Sequence, residues 1–254
     1  MSIVSFELSE IILFIFLVIY LTETLILTAL FLKKYFEVKK IEFLYVGLFL
    51  LGFSIASTFH WILAFILLAL VGITLDPTFL YFFQGISAIT LIFWILASDK
   101  LILANHPRKK VYLILMVVIT IVTSAIYYIV LFIDWQLIGT LDPKGWTPLT
   151  WSILASTILA IEYLVFFVTY LIFIYKALKT PNERIKLKGK ILLLAGILIG
   201  ISILVTFILG FFEGIIYWVV TFSIVHVVRI IAFFFFYVGF TLPKFIERTF
   251  LKEE

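Results

Sequence analysis

The chain has no cysteine, which excludes disulfides, thiolate chemistry and cysteine-ligated metal sites. It is also poor in charge. Asp, Glu, Lys and Arg together make up 13% of its 254 residues, against about a quarter in a soluble domain. Such a chain cannot cover a water-facing surface with polar groups. Long polar stretches are missing too: the gaps between apolar segments are mostly about 5 to 15 residues, too short to fold an extramembrane domain. No His-Glu-x-x-His zinc motif, Gly-x-Ser-Gly serine-protease segment or Gly-x-Gly-Asp aspartyl-protease segment is present, so an enzyme is not expected. The first apolar run has neither a basic n-region nor a small-residue cleavage site and is expected to be retained.

What fills the chain instead is hydrocarbon-compatible sequence, 65% hydrophobic with a mean hydropathy of +1.27. Seven apolar runs cover residues 11–32, 44–73, 79–97, 111–133, 149–175, 191–212 and 215–242. A helix needs about 20 such residues to cross roughly 30 Å of lipid tails. The expected fold class is an all-α integral membrane protein, one bundle of seven transmembrane helices spanning residues 1–254.

Positive charge is nearly absent from alternate gaps. Of 19 Lys and Arg residues, 17 follow runs 1, 3, 5 and 7, while Lys144 alone sits on the opposite side and Arg229 lies inside a run. The positive-inside rule then predicts the N-terminus outside and the C-terminus inside the cell membrane. The basic pI near 9.1 follows from these inner-face lysines, which attract anionic lipid headgroups; nucleic acid is not an expected partner. The tail 244–252 alternates charged and apolar residues at helical spacing and predicts a short amphipathic C-terminal helix on the inner surface.

Punctuation on the outer side is ordinary. Asp76-Pro77 and Thr147-Pro148 each look like a cap followed by proline at the first helical position. Asp142-Pro143-Lys144-Gly145 reads as a β-turn. It lies in the longest outer loop, Asp134 to Pro148, which reads as a connector, with a cover over the bundle mouth as the alternative. Trp135, Trp146, Trp151 and Trp218 are expected to form an aromatic belt at the outer interface, and Tyr35, Tyr45, Tyr112 and Tyr175 one at the inner.

Lipid gives no reward for burying polarity, so polar and small residues should mark bundle-facing surfaces. Gly52, Ala56, His60 and Ala64 repeat at four-residue intervals; Thr120, Thr123, Ser124 and Tyr127 share one side of run 4. Gly196 and Gly200 form a small-xxx-small pair that permits close helix approach, within the chain or in a dimer. Arg229 lies about 12 residues from either end of its run, roughly 18 Å at 1.5 Å per residue, too deep to reach the headgroups. Left unpaired it would cost about 2.5–3.5 kcal/mol on insertion scales. Glu23, His60, Glu162 and His226 lie near the middle of their runs, and Gln84 sits higher in run 3. Together with Arg229 they are the candidate ligand-binding or ion-path residues, with Arg229 expected to pair with Glu162 or Glu23. A structural polar lock is the competing reading. A haem held between His60 and His226 is a lesser option, and no cofactor is expected.

Seven helices with an external N-terminus also occur in microbial rhodopsins, but the seventh run has no lysine for retinal, and Arg229 at that depth cannot form a Schiff base. In helix number, orientation and basic inner side the chain resembles the seven-helix sensor domains of prokaryotic histidine kinases and related signalling proteins. That resemblance implies a sensor or receptor-like role. In those families an output domain follows helix 7; here the sequence ends at Glu254, so a separate cytoplasmic signalling partner is expected, engaged through 180–190 and 244–254. The alternatives are a small transporter or channel with a proton or cation path through Glu162, Glu23 and His226, or a scaffold subunit of a membrane complex. The Ile- and Lys-rich, cysteine-free composition suggests a prokaryote, archaea included.

Overall fold

The computed structural model describes residues 5–101, 109–209 and 215–251. Seven long helices are apolar enough to cross a membrane: α1 (Leu8–Val38), α2 (Ile41–Val71), α3 (Pro77–Leu101), α4 (Lys109–Ile133), α5 (Ile153–Lys179), α6 (Glu183–Leu209) and α7 (Ile215–Thr241). A short α8, Lys244–Phe250, follows a break at Leu242 (φ 45°) and Pro243. Most helices run past the apolar segment that announced them, because flanking Lys and Glu residues continue the helix beyond the apolar stretch. The chain is a multi-pass membrane protein. Side chains that would be untenable in water cover its perimeter: Ile15, Ile19 and Ile26 on α1 and Ile114, Ile121 and Ile129 on α4 are all exposed.

Helix α1 packs on α2 and α7, and the circuit closes through α3, α5 and α6, with α4 seated outside on α3 and α5. Small residues set the closest approaches. A Cβ on Gly52 would meet the Thr90 methyl of α3 at 2.0 Å, and one on Gly196 would meet the Tyr170 ring of α5 at 2.7 Å. Gly200 likewise faces Phe167 at 3.3 Å, so the small-xxx-small pair is used for α5–α6 packing inside the chain. The face of Ala56, His60 and Ala64 is buried. So is that of Thr120, Thr123, Ser124 and Tyr127, where the Ser and Thr hydroxyls bond carbonyls of their own helix and Tyr127 donates to the Tyr81 carbonyl at 2.9 Å.

Helix α2 is not uniform. Residues Ile55–Phe59 form a π turn in mid-span, which widens the helix by an extra residue and rotates the remainder of the helix about its axis. Upstream, Ser54 bonds the Leu50 carbonyl at 2.6 Å.

Asp76 caps α3 as its sequence suggests, its carboxylate accepting from Thr78 N at 2.7 Å. The Thr147-Pro148 cap does not form. Pro148–Trp151 is instead strand β2, paired antiparallel with β1 (Gly139–Leu141) in the register Gly139↔Trp151, Thr140↔Thr150, Leu141↔Pro148. Helix α5 therefore starts at Ile153, four residues after the predicted 149, with Ser152 Oγ capping Ala155 N at 3.1 Å. The β-turn is present: Gly145 N donates to Asp142 O at 2.8 Å, and Gly145 has φ +73°, a conformation glycine adopts without strain. The Asp142 carboxylate also takes the backbone N–H groups of Lys144, Trp146 and Thr147.

This hairpin is latched to α1. Buried Glu10 pairs with Lys144 Nζ and accepts from Trp146 Nε1 at 3.4 Å; Lys144 also donates to the Ser5 carbonyl at 3.0 Å. Trp146 is buried against Phe65 rather than set in an interfacial belt. Its ring serves packing because the latch draws it inward. Trp218 lies where side chains fall outside the described residues. Tyr35 and Tyr45 are half-buried, and Tyr112 and Tyr175 exposed, beside the lysine-rich face; Lys179 lies over the Tyr175 ring at 4.5 Å.

The buried core has two parts. One, nearer the lysine-rich face, is built on Trp94, Phe166, Tyr170 and Phe236; the other, nearer the hairpin, on Leu13, Trp61, Leu80 and Trp146.

Candidate functional site

Where the two cores meet, five helices leave space. A cavity of about 50 Å³ is lined by Phe49, Phe53, Glu162, Tyr163, Phe166 and Phe233 among others. A neighbouring cavity of about 90 Å³ is lined by Ser57, Gln84, Ser156, Thr206 and Arg229, and reaches Pro148 and Trp151 on the underside of β2. Phe53, Ser87, Leu159 and Tyr163 wall both, so the two form one chamber in two compartments. A water needs about 10–15 Å³ of such space. Each compartment thus has room for several waters or a few ligand atoms, far below the several hundred Å³ that drug-sized ligands occupy.

Toward the lysine-rich face the chamber has an aromatic floor. Trp94 sits 4.9 Å from Phe166, Phe166 5.5 Å from Tyr170, and Phe236 5.9 Å from Tyr170 and 4.8 Å from Phe240, measured between ring centroids. Their polar atoms are tied down: Trp94 Nε1 donates to Thr169 Oγ1 at 2.7 Å and Tyr170 OH to the Leu192 carbonyl at 2.8 Å. On the hairpin side the roof is β2.

Three of the six residues singled out by depth reach this chamber: Gln84 from α3, Glu162 from α5 and Arg229 from α7. The others do not line it. His60 is wholly buried, flanked by Trp61 at 4.3 Å and Phe83 at 6.3 Å, with no hydrogen bond of good geometry. His226 is buried edge-on to Tyr20 at 5.3 Å. Glu23 is half-buried on α1, which contributes nothing to the lining.

The expected ion pair is absent among the described residues. Arg229 donates from Nε to Ser202 Oγ at 3.4 Å and from Nη2 to Thr206 Oγ1 at 3.3 Å, both on α6, while neither Glu162 nor Glu23 comes within 4.0 Å of it. Each hydroxyl donates to its own helix, Ser202 to Ile199 O and Thr206 to Ser202 O, both at 2.8 Å. Their lone pairs remain to receive the guanidinium. Glu162 is equally buried and makes no hydrogen bond or ion pair among the described residues. The membrane core thus holds a guanidinium and a carboxyl in adjoining compartments, with no ion pair to either among the described residues.

Sequence reading missed Tyr163, one of the four residues that wall both compartments, and Ser57, which lies in the π turn and lines the larger one. Ser202 and Thr206 were missed as well, although their i, i+4 spacing at the depth of Arg229 was a usable signal. Among the described residues no group of three or more His, Asp or Glu side chains could hold a metal ion. No protein-family model, curated protein or solved structure matches the chain.

At the lysine-rich face two segments predicted as partner contacts lie together. Arg184, at the start of α6, holds Glu247 of α8 through Nε (2.7 Å) and Nη2 (3.0 Å).

Proposed function

We propose that this protein is a receptor-like sensor of a prokaryotic cell membrane, with N-terminus and hairpin outside and the lysine-rich face in the cytoplasm. A small polar ligand enters beneath the hairpin and occupies the chamber. The observation that carries this reading is a chamber lined by Arg229 and Glu162, neither in an ion pair among the described residues, roofed by β2 and floored by packed aromatic rings. A ligand bridging α3, α5, α6 and α7 would shift the balance between helix arrangements by its differential affinity for them. The α6–α8 contact at Arg184 and Glu247 is the natural readout for a cytoplasmic signalling partner, and anionic lipids would neutralise the lysines around it.

One feature favours transport instead: Glu162 is a mid-membrane carboxyl that lines a cavity without a partner among the described residues, as proton and cation paths require. Reconstitution into proteoliposomes under proton and cation gradients decides between the two. A receptor gives no flux above that of empty vesicles. Flux abolished by Glu162→Gln overturns the sensor reading in favour of a transporter.

A further inference from the structure

We infer that the chamber is built for a small zwitterion, its ammonium end beside Glu162 and its anionic end on Arg229. This deepens the receptor reading and rests on it. Each compartment has the lining that one end requires. Around Glu162 stand Phe49, Phe53, Tyr163, Phe166 and Phe233, with Phe49 and Phe166 stacked at 5.6 Å and Phe53 next to Phe233 at 6.3 Å. Several aromatic rings lining one compartment together with a carboxyl group is the chemistry that selects an alkylated ammonium. Ring quadrupoles attract the spread positive charge, the carboxylate supplies the counter-charge, and no directed hydrogen bond is demanded.

The other compartment is its complement. Arg229 offers five N–H donors, and its partners among the described residues are two hydroxyls. Gln84, Ser57, Ser156 and Thr206 line the same space. A carboxylate fits this fork with charge-assisted hydrogen bonds.

The third argument is that the two groups stand apart. Each is nine-tenths buried or more, each lines the chamber, and they form no ion pair with one another. A ligand that carries both charges across the shared wall of Phe53, Ser87 and Tyr163 satisfies both side chains at once. A simple carboxylate with an alkyl tail would leave Glu162 facing hydrocarbon, and a simple ammonium would leave Arg229 with its hydroxyls only. The combined volume admits a ligand of a few heavy atoms.

The test is calorimetric titration of the full chain in lipid nanodiscs with three probes: glycine betaine, tetramethylammonium and 3,3-dimethylbutanoate. The last has the shape and carboxylate of betaine with carbon in place of nitrogen. Betaine is expected to bind about tenfold tighter or more than either of the others, the scale of one desolvated cation–π and charge contact. Glu162→Gln, which removes no bond seen among the described residues, should erase the preference over dimethylbutanoate by weakening betaine and, if anything, tightening dimethylbutanoate. Arg229→Gln should abolish binding of both carboxylates; should that variant fail to fold, Glu162→Gln carries the test alone. Equal affinity for betaine and dimethylbutanoate, a preference that survives Glu162→Gln, or binding of none of the three overturns the zwitterion. The receptor reading stands or falls separately, on flux.

Discussion

At the residue scale, the telling contrast is between Arg229 and Glu162. Both are buried, yet only the arginine is held by protein groups. A hydrogen bond to a charged group is worth about 1.5–3 kcal/mol. Removing the Ser202 hydroxyl should therefore destabilise the folded protein by about 1–2 kcal/mol, the 3.4 Å distance placing it at the weak end. Glu162→Gln should be neutral or stabilising, because it replaces a buried carboxyl that makes no hydrogen bond or ion pair among the described residues with an amide of the same shape. Unfolding followed in detergent, variant against parent, checks both. If Glu162→Gln costs as much as Ser202→Ala, the carboxylate is bonded after all. The depth of Arg229 was legible in the sequence because depth follows from counting 1.5 Å per residue. Its partners were not: one position along a helix turns a side chain by about 100°, so equal depth says nothing about facing. The same gap explains why His226 and Glu23 share the level of the chamber without lining it.

At the element scale, apolar length revealed seven helices and small-residue spacing revealed their buried faces, since lipid makes both requirements strict. The π turn Ile55–Phe59 left no such mark, because its residues are compatible with an α-helix and the extra residue is accommodated by packing against α3. The hairpin was hidden by mimicry: Thr147-Pro148 has the composition of a helix start, and a strand of four residues is too short to show alternation. Only its Asp-Pro-Lys-Gly turn was readable. Gly52 shows how tightly α2 and α3 depend on each other. Its added Cβ would lie 2.0 Å from the Thr90 methyl and 2.9 Å from Thr90 Cβ. Gly52→Ala is expected to cost about 1–3 kcal/mol of stability, the usual range for overpacking. Thr90→Ala in the same chain should recover part of that loss, a non-additivity expected only of residues in contact. Thermal melts of the two single variants and the double variant measure it; strict additivity would mean that the helices part instead of clashing.

At the scale of the whole molecule, two asymmetries coincide along the bundle axis. One end carries most of the lysines; the other carries the hairpin, whose β2 roofs the chamber between the two cores. Lys144, the exception to the charge rule, is neutralised by Glu10, so the hairpin end presents no free excess of positive charge from it. That removes the one sequence feature that opposed an external hairpin. Orientation can be measured directly, because a chain without cysteine needs no background substitutions. Thr74, exposed in the connection between α2 and α3, lies at the hairpin end; Lys39 and Lys179 are exposed at the opposite end. With single cysteines placed at these positions, a membrane-impermeant maleimide should label Thr74→Cys in intact cells. Lys39→Cys and Lys179→Cys should react only after permeabilisation. All three sites are exposed, so a lack of labelling reports the membrane barrier and not burial. The reverse pattern would turn the molecule over: the chamber would then open to the cytoplasm, its ligand would be an intracellular solute, and the α6–α8 contact at Arg184 and Glu247 would face outward.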